Sequence, residues 1–190
     1  MAILGTLLKN RRAGQARLAW NLPPLAGPDT LDLRSTNFEH EGVIPLVHVG
    51  KRVGGRNTSP QLAWDRAPHG TKQLLLVIQD ADFPGGNPFV HGAALLEPDL
   101  VSLPGGALDA RDAPEGVRVL RSSLRRGYMG PEPIKGHGPH RYVFQLFALA
   151  EPLASAAGGK ALERARPRAV LASVSGPVVG RGRVDGFYTR

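Results

Sequence analysis

The sequence predicts a mainly β protein, a β-sandwich of two antiparallel sheets with a few peripheral helices. Three observations carry that prediction. The 190 residues include 24 glycines and 17 prolines, which implies frequent turns and argues against a helical bundle. The strongest apolar segments are short: residues 74–79 (LLLVIQ) and Phe89–Leu96 (FVHGAALL) are continuous runs, as expected of strands covered on both faces. Helical periodicity is confined mainly to the two ends of the chain.

Taken in order, Ile3, Leu4, Leu7 and Leu8 recur at helical spacing, predicting a short amphipathic helix that stops at Gly14. Such a helix covers the protein body, a second subunit in a homodimer, or a membrane surface, with packing on the body as the default. Residues 21–29 (NLPPLAGPD) read as an extended linker, because Pro23, Pro24 and Pro28 block helix continuation. Residues 1–29 are thus expected to form an N-terminal helix and linker, and residues 30–190 the main domain. Short strands are expected at 31–33 and 44–49, followed by a turn-rich loop at 51–60 (KRVGGRNTSP). The two apolar runs come next, then an alternating strand at 117–121 and the aromatic, β-branched run at 141–149 (RYVFQLFAL). A helix is predicted over 156–166, with Pro167 opening a second that ends near Ser173, and a last strand over 178–184.

Composition narrows the chemistry. A 42% hydrophobic, 21% charged chain is ordinary for a globular protein. Without cysteine there is no disulfide, thiol nucleophile or Cys-based metal centre. No window approaches the roughly 20 apolar residues of a membrane helix. The basic residues near the N-terminus follow the apolar patch, the reverse of a secretory signal, so a cytoplasmic protein is expected. The net charge of +8 is uneven. Lys9, Arg11, Arg12 and Arg17 face no acid in the first 20 residues, and Arg118, Arg121, Arg125, Arg126, Lys135 and Arg141 share their stretch with Glu132 alone. Such clusters attract phosphates or simply form a solvated basic surface. No aromatic-rich RNA motif or helix-turn-helix accompanies them, so no specific nucleic-acid partner is expected.

Phosphate-loop, dinucleotide and Gly-x-Ser-x-Gly signatures are absent, so no cofactor is expected. One constellation stands out. Asp80 and Asp82 end the LLLVIQ strand in QDADFPG, His91 lies within FVHGAALL, and His140 and Tyr142 open the RYVFQLF strand after the rigid loop GPEPIKGHGP. Strand ends beside Pro/Gly loops are where sandwiches form ligand pockets. Imidazole N–H groups and a phenol can donate to phosphate oxygens, while a carboxylate orients an imidazole. A metal reading through His137, His140 and Asp80 is weakened by neighbouring prolines and the lack of a helix, so no metal is expected. Taken singly, each histidine could instead satisfy a buried backbone group; taken together, the five residues favour a site.

The segments NTSPQLAW, VIQDADFPG, FVHG and GPEPIKGHGPHRYVFQLFAL resemble the phosphatidylethanolamine-binding protein (PEBP) family, particularly its bacterial Raf kinase inhibitor-like, YbhB/YbcL-type branch. The resemblance runs from about Thr30 to Phe147 and more weakly to GFYTR. It implies the β-sandwich fold and a small pocket for phosphate-like anions or phospholipid head groups. The pocket would use Asp80, Asp82, Pro84, His91, His140 and Tyr142, with Glu132 at the mouth and a cis-proline near the loop. Phe187 and Tyr188 would lie near one side of it. The family's Asp-Pro-Asp reads Asp80-Ala81-Asp82 here, its aromatic after the pocket histidine is Gly92, and the last proline of its Gly-Pro-x-Pro-Pro loop is Ile134. The resemblance implies a non-enzymatic binding protein. The alternatives are a protease- or kinase-docking regulator and, more remotely, a hydrolase-like acid–base enzyme using Asp80, His91 and His140.

Overall fold

The computed structural model describes residues 2–190. Its centre is β3 (Gln73–Asp80), paired antiparallel with β4 (Phe89–Leu96) on one side and β7 (His140–Leu149) on the other. The last strand, β8 (Val178–Tyr188), lies antiparallel to β7, and β6 (Val117–Val119) pairs with β4. A two-residue β1 (Gly42–Val43) runs parallel to β8, so the six-stranded sheet, ordered β1-β8-β7-β3-β4-β6, is mixed rather than wholly antiparallel. The second layer is small: β2 (Leu62–Ala63) pairs antiparallel with β5 (Ser102–Leu103).

Because side chains alternate across a strand, β3 and β7 feed two cores. Leu74, Leu76, Ile78, Phe144 and Leu146 face the layer holding Leu62, Trp64 and Leu103. Leu75, Val77, Phe147 and Leu149 face Leu25, Leu162, Val170 and Leu171. Both faces of the sheet are dry, which is why these strands read as continuous apolar runs. Each fully buried leucine or phenylalanine is worth about 1.5–3 kcal/mol, so the central strands carry much of the stability.

The irregular segments depart from the sequence expectations for local reasons. Residues 31–33 form no strand; single bridges at Asp29–Arg181 and Arg34–Ala63 flank them. Residues 44–49 are not a strand either, because Pro45 starts a 3-10 turn at Leu46–His48. The predicted helix over 156–166 is a set of turns. Gly158 and Gly159 take φ of +80° and +72°, and a short bridge joins Ala156 to Lys160. The helix opened by Pro167 is present as α2 (Pro167–Leu171). The 117–121 strand ends at Val119, and the last strand extends past Val184 to Tyr188.

At the N-terminus, α1 (Ala2–Leu8) forms as the spacing implies, yet Ile3, Leu4 and Leu7 remain exposed. Gly5 faces the Lys135 carbonyl closely enough that a Cβ would lie 2.1 Å from it. The proline-rich stretch is not extended but folds into 3-10 turns at Ala19–Asn21 and Pro23–Leu25, a conformation compatible with proline's fixed φ. Leu18, Ala19 and Leu25 are fully buried. Two buried glutamines clamp this stretch to the sheet. The Ala19 N–H donates to Gln79 Oε1 and the Trp20 N–H to Gln145 Oε1, both at 2.7 Å, and Gln145 Nε2 donates to Gln79 Oε1 at 3.1 Å.

Candidate functional site

The site lies where β3 ends and β7 begins. Register pairs Asp80 with Tyr142 across these strands. On the other side, Ile78 pairs with Gly92 but Gln79 with Val90, leaving His91 as the extra residue of a β-bulge. A bulge re-aims side chains, and here it turns His91 toward Tyr142. The two rings meet edge to face with centroids 5.0 Å apart, and His140 stacks on Tyr142 at 6.4 Å. Asp80, Asp82, His91, His140 and Tyr142 are thereby brought together. Asp82 closes a turn rather than continuing the strand: its own N–H donates to Asp80 Oδ1 at 2.8 Å.

Hydrogen bonds organise the cluster. His140 Nδ1 donates to Asp80 Oδ2 at 2.7 Å, and His140 Nε2 lies 2.7 Å from His137 Nδ1. His137 Nε2 donates to the carbonyls of Leu8 and Arg11, at 2.9 and 3.1 Å. The chain thus runs from the Asp80 carboxylate through both imidazoles to two backbone carbonyls. Asp82 is partnered separately: it accepts from Arg12 Nη1 at 2.6 Å and from the Arg141 N–H at 2.7 Å. Both carboxylates therefore have their partners within the protein.

Arg12 belongs to an arm, residues 9–14, that lies over the cluster. Its guanidinium also donates to the Pro139 carbonyl at 3.1 Å, while the N–H groups of Ala13 and Gly14 donate to the carbonyls of Phe83 and Ala81, both at 2.8 Å. With the arm in place every member except Asp82 is buried, His91 being the most exposed of them at 6%. Two polar atoms of the cluster remain without a partner among the described residues. The Tyr142 hydroxyl is buried and makes no hydrogen bond. His91 donates from Nδ1 to the Met129 carbonyl at 2.6 Å, leaving Nε2 free. Burial lowers the His91 pKa against the opposing pull of Asp80, so its ring is neutral and Nε2 is an acceptor. Burial and then Asp80 raise the Tyr142 pKa well above that of a free phenol, so its hydroxyl remains a donor.

Pro84 lies in the loop after Asp82, where neighbouring Phe83 packs on Phe89 at 5.2 Å between centroids. Glu132 is exposed, and its carboxylate accepts from the Arg52 N–H at 3.3 Å; it makes no bond to the cluster. Phe187 instead carries the Arg141 guanidinium on its ring, 4.5 Å from the centroid. Sequence reasoning missed the structural parts of Arg12, His137 and Asn57. The three-residue spacing of His137 and His140 was visible, and the structure uses it to link the two rings in one hydrogen-bonded chain. Asn57 accepts from the Gly130 N–H at 2.8 Å and donates to the Tyr128 carbonyl at 3.2 Å, bracing the irregular segment that presents Met129 to His91. The NTSP turn motif was its only signal.

The phosphatidylethanolamine-binding protein family model matches residues 34–189. The chain belongs to the phosphatidylethanolamine-binding protein family. Among individual relatives, it is 34% identical over 160 residues to phomoidride biosynthesis cluster protein B of a fungus, covering 79% of this chain and 76% of that protein. It is 36% identical over 124 residues to the YbhB protein of Escherichia coli, covering 63% and 78%. The crystal structure of Escherichia coli YbcL superposes with a TM-score of 0.74 at 24% identity, covering 85% of this chain and 99% of that one, which shows the common fold. Membership in this family supports a binding or regulatory protein.

Two details bear on what the resemblance implied. No peptide bond among the described residues is cis, so the expected cis-proline near the loop is not found. Gly92 faces the core between the layers rather than the cluster: a Cβ there would lie 3.3 Å from Ile78 Cδ1 and 3.7 Å from the Tyr128 ring. An aromatic side chain at 92 would have to displace those two residues.

Proposed function

We propose that this PEBP-family chain is a non-enzymatic binding protein whose strand-end cluster accepts a phosphate-like anion or a phospholipid head group, with the arm over the cluster as its gate. The observation that carries this is the buried, unpartnered Tyr142 hydroxyl, on a ring that meets the His91 ring edge to face. Buried polar groups are almost always paired, and one left open in a cluster of this kind calls for a ligand. One donor next to one acceptor suits a monoprotonated phosphate or phosphoester. Its anionic oxygen accepts from Tyr142, and its P–O–H donates to His91.

The hydrogen bond from His140 to Asp80 and the pairing of Asp82 with Arg12 lessen the repulsion two free carboxylates would exert on an anion. The Arg12–Asp82 pair also supplies a point of exchange. An ethanolamine ammonium can replace the guanidinium on Asp82, coupling head-group binding to release of the arm. The test is calorimetric titration with phosphate and phosphorylethanolamine, on the full chain and on folded His140→Ala and Arg12→Ala variants. Binding that His140→Ala abolishes, with phosphorylethanolamine the tighter ligand, is expected. Absence of binding to the full chain and to Arg12→Ala alike would overturn the anion site and leave a protein-docking role. Binding unchanged by Arg12→Ala would overturn only the gate.

A further inference from the structure

A concavity of about 510 Å³ opens between the loop 51–59, residues 106–111 and the turn 125–128, with Glu132 also in its lining. Its lining includes the cations Lys51, Arg52, Arg56, Arg111, Arg125 and Arg126, against the carboxylates Asp109 and Glu132. What sets the groove apart is the gathering of six cations in one lining, since cations with and without ion pairs both occur elsewhere on the chain. Arg12, Arg34, Arg118, Arg141, Arg181 and Arg183 each form an ion pair with a carboxylate. Among the described residues, none of the six cations in the groove does.

The two carboxylates in the groove are occupied by backbone donors. Asp109 Oδ1 accepts from the Arg111 N–H at 2.9 Å, and Glu132 Oε1 from the Arg52 N–H at 3.3 Å. Two of the arginines are held in place from behind, with Arg125 Nη2 donating to the Tyr128 carbonyl at 3.1 Å and Arg126 Nε to the Val119 carbonyl at 2.9 Å. Gathering so many unpaired cations costs stability through mutual repulsion, a cost that an anion would remove.

The chemistry of the lining narrows the anion. Six cations exceed what one phosphate can engage, and the volume suits a ligand larger than one phosphate. The one aromatic residue in the lining, Tyr128, is buried with its hydroxyl donating to the His48 carbonyl at 3.0 Å. It offers no stacking platform for a nucleobase. We propose that this groove binds a small polyphosphate, a compact ligand carrying two or more phosphoryl groups and no base, independently of the strand-end cluster.

The test is calorimetric titration of the full chain with inorganic tripolyphosphate at fixed ionic strength, with an Arg56→Gln/Arg111→Gln double variant and His91→Ala beside it. Both replaced arginines are exposed, so the double variant is expected to fold. One-to-one binding that weakens about tenfold or more in the double variant and is unchanged in His91→Ala is the expected result. No saturable heat, or equal binding by the double variant, would overturn the site. So would equally tight binding of a single-stranded oligonucleotide of matched charge, which would mark a non-specific nucleic-acid surface.

Discussion

Replacing Tyr142 with phenylalanine should make the protein more stable and a poorer binder at once. The ring is 1% exposed and keeps its contacts with His91 and His140 in either residue, so the change isolates the hydroxyl. That hydroxyl is buried with no partner. A buried polar group without a hydrogen bond costs about 1–3 kcal/mol, and removing it returns part of that sum. Taking about 1 kcal/mol as the gain, Tm should rise by about 2–4 °C for a domain of this size. A hydrogen bond from the phenol to a charged phosphate is worth about 1.5–3 kcal/mol, so affinity should fall by about 10- to 100-fold. Thermal melts with and without phosphate, together with titration calorimetry, read both effects. A Tyr142→Phe variant that melts lower than the parent without ligand would show that the hydroxyl already has a structural partner. The reasoning would then fail at its first step.

Four further outcomes follow from the same geometry. His91 has a folded pKa below its ordinary 6.5, so it binds protons more readily when unfolded. Its contribution to stability is therefore complete above pH 6.5 and is lost as pH falls through the folded value; denaturant midpoints should drop across that window and flatten in His91→Phe. Phosphate should bind more tightly than sulfate near neutral pH, because sulfate has no proton to donate to His91 Nε2; equal affinities in competition titrations would refute the donor–acceptor pairing. Arg12→Ala removes a partly exposed ion pair, with side chains 34% and 19% accessible, so stability should change by no more than about 1 kcal/mol while ligand association speeds up in stopped-flow. Gly182→Ala should destabilise by about 3 kcal/mol or more in chemical denaturation, since its Cβ would lie 2.1 Å from the Leu31 carbonyl oxygen.

Legibility in the sequence followed how local the determining forces were. β3, β4 and β7 were visible because burial on both faces writes a continuous apolar run. The strand-end residues Asp80, His91, His140 and Tyr142 were visible because their positions on those runs could be counted. The segments 31–33 and 44–49 misled because a short alternation resembles a strand whether or not a neighbour offers hydrogen bonds, and Pro45 turned one of them aside. The predicted helix over 156–166 failed at Gly158 and Gly159, whose positive φ carries the chain into turns.

The sequence by itself determined a mainly β core, the chemical character of the cluster and the family. Each rests on residue type and spacing along single strands. Only the tertiary structure decided that Arg12, some 70 residues before Asp82, pairs with it, and that His137 links His140 to the carbonyls of Leu8 and Arg11. It also decided which arginines meet carboxylates and which gather in one groove. Charge pairing depends on distance in space, and a sequence records only separation along the chain.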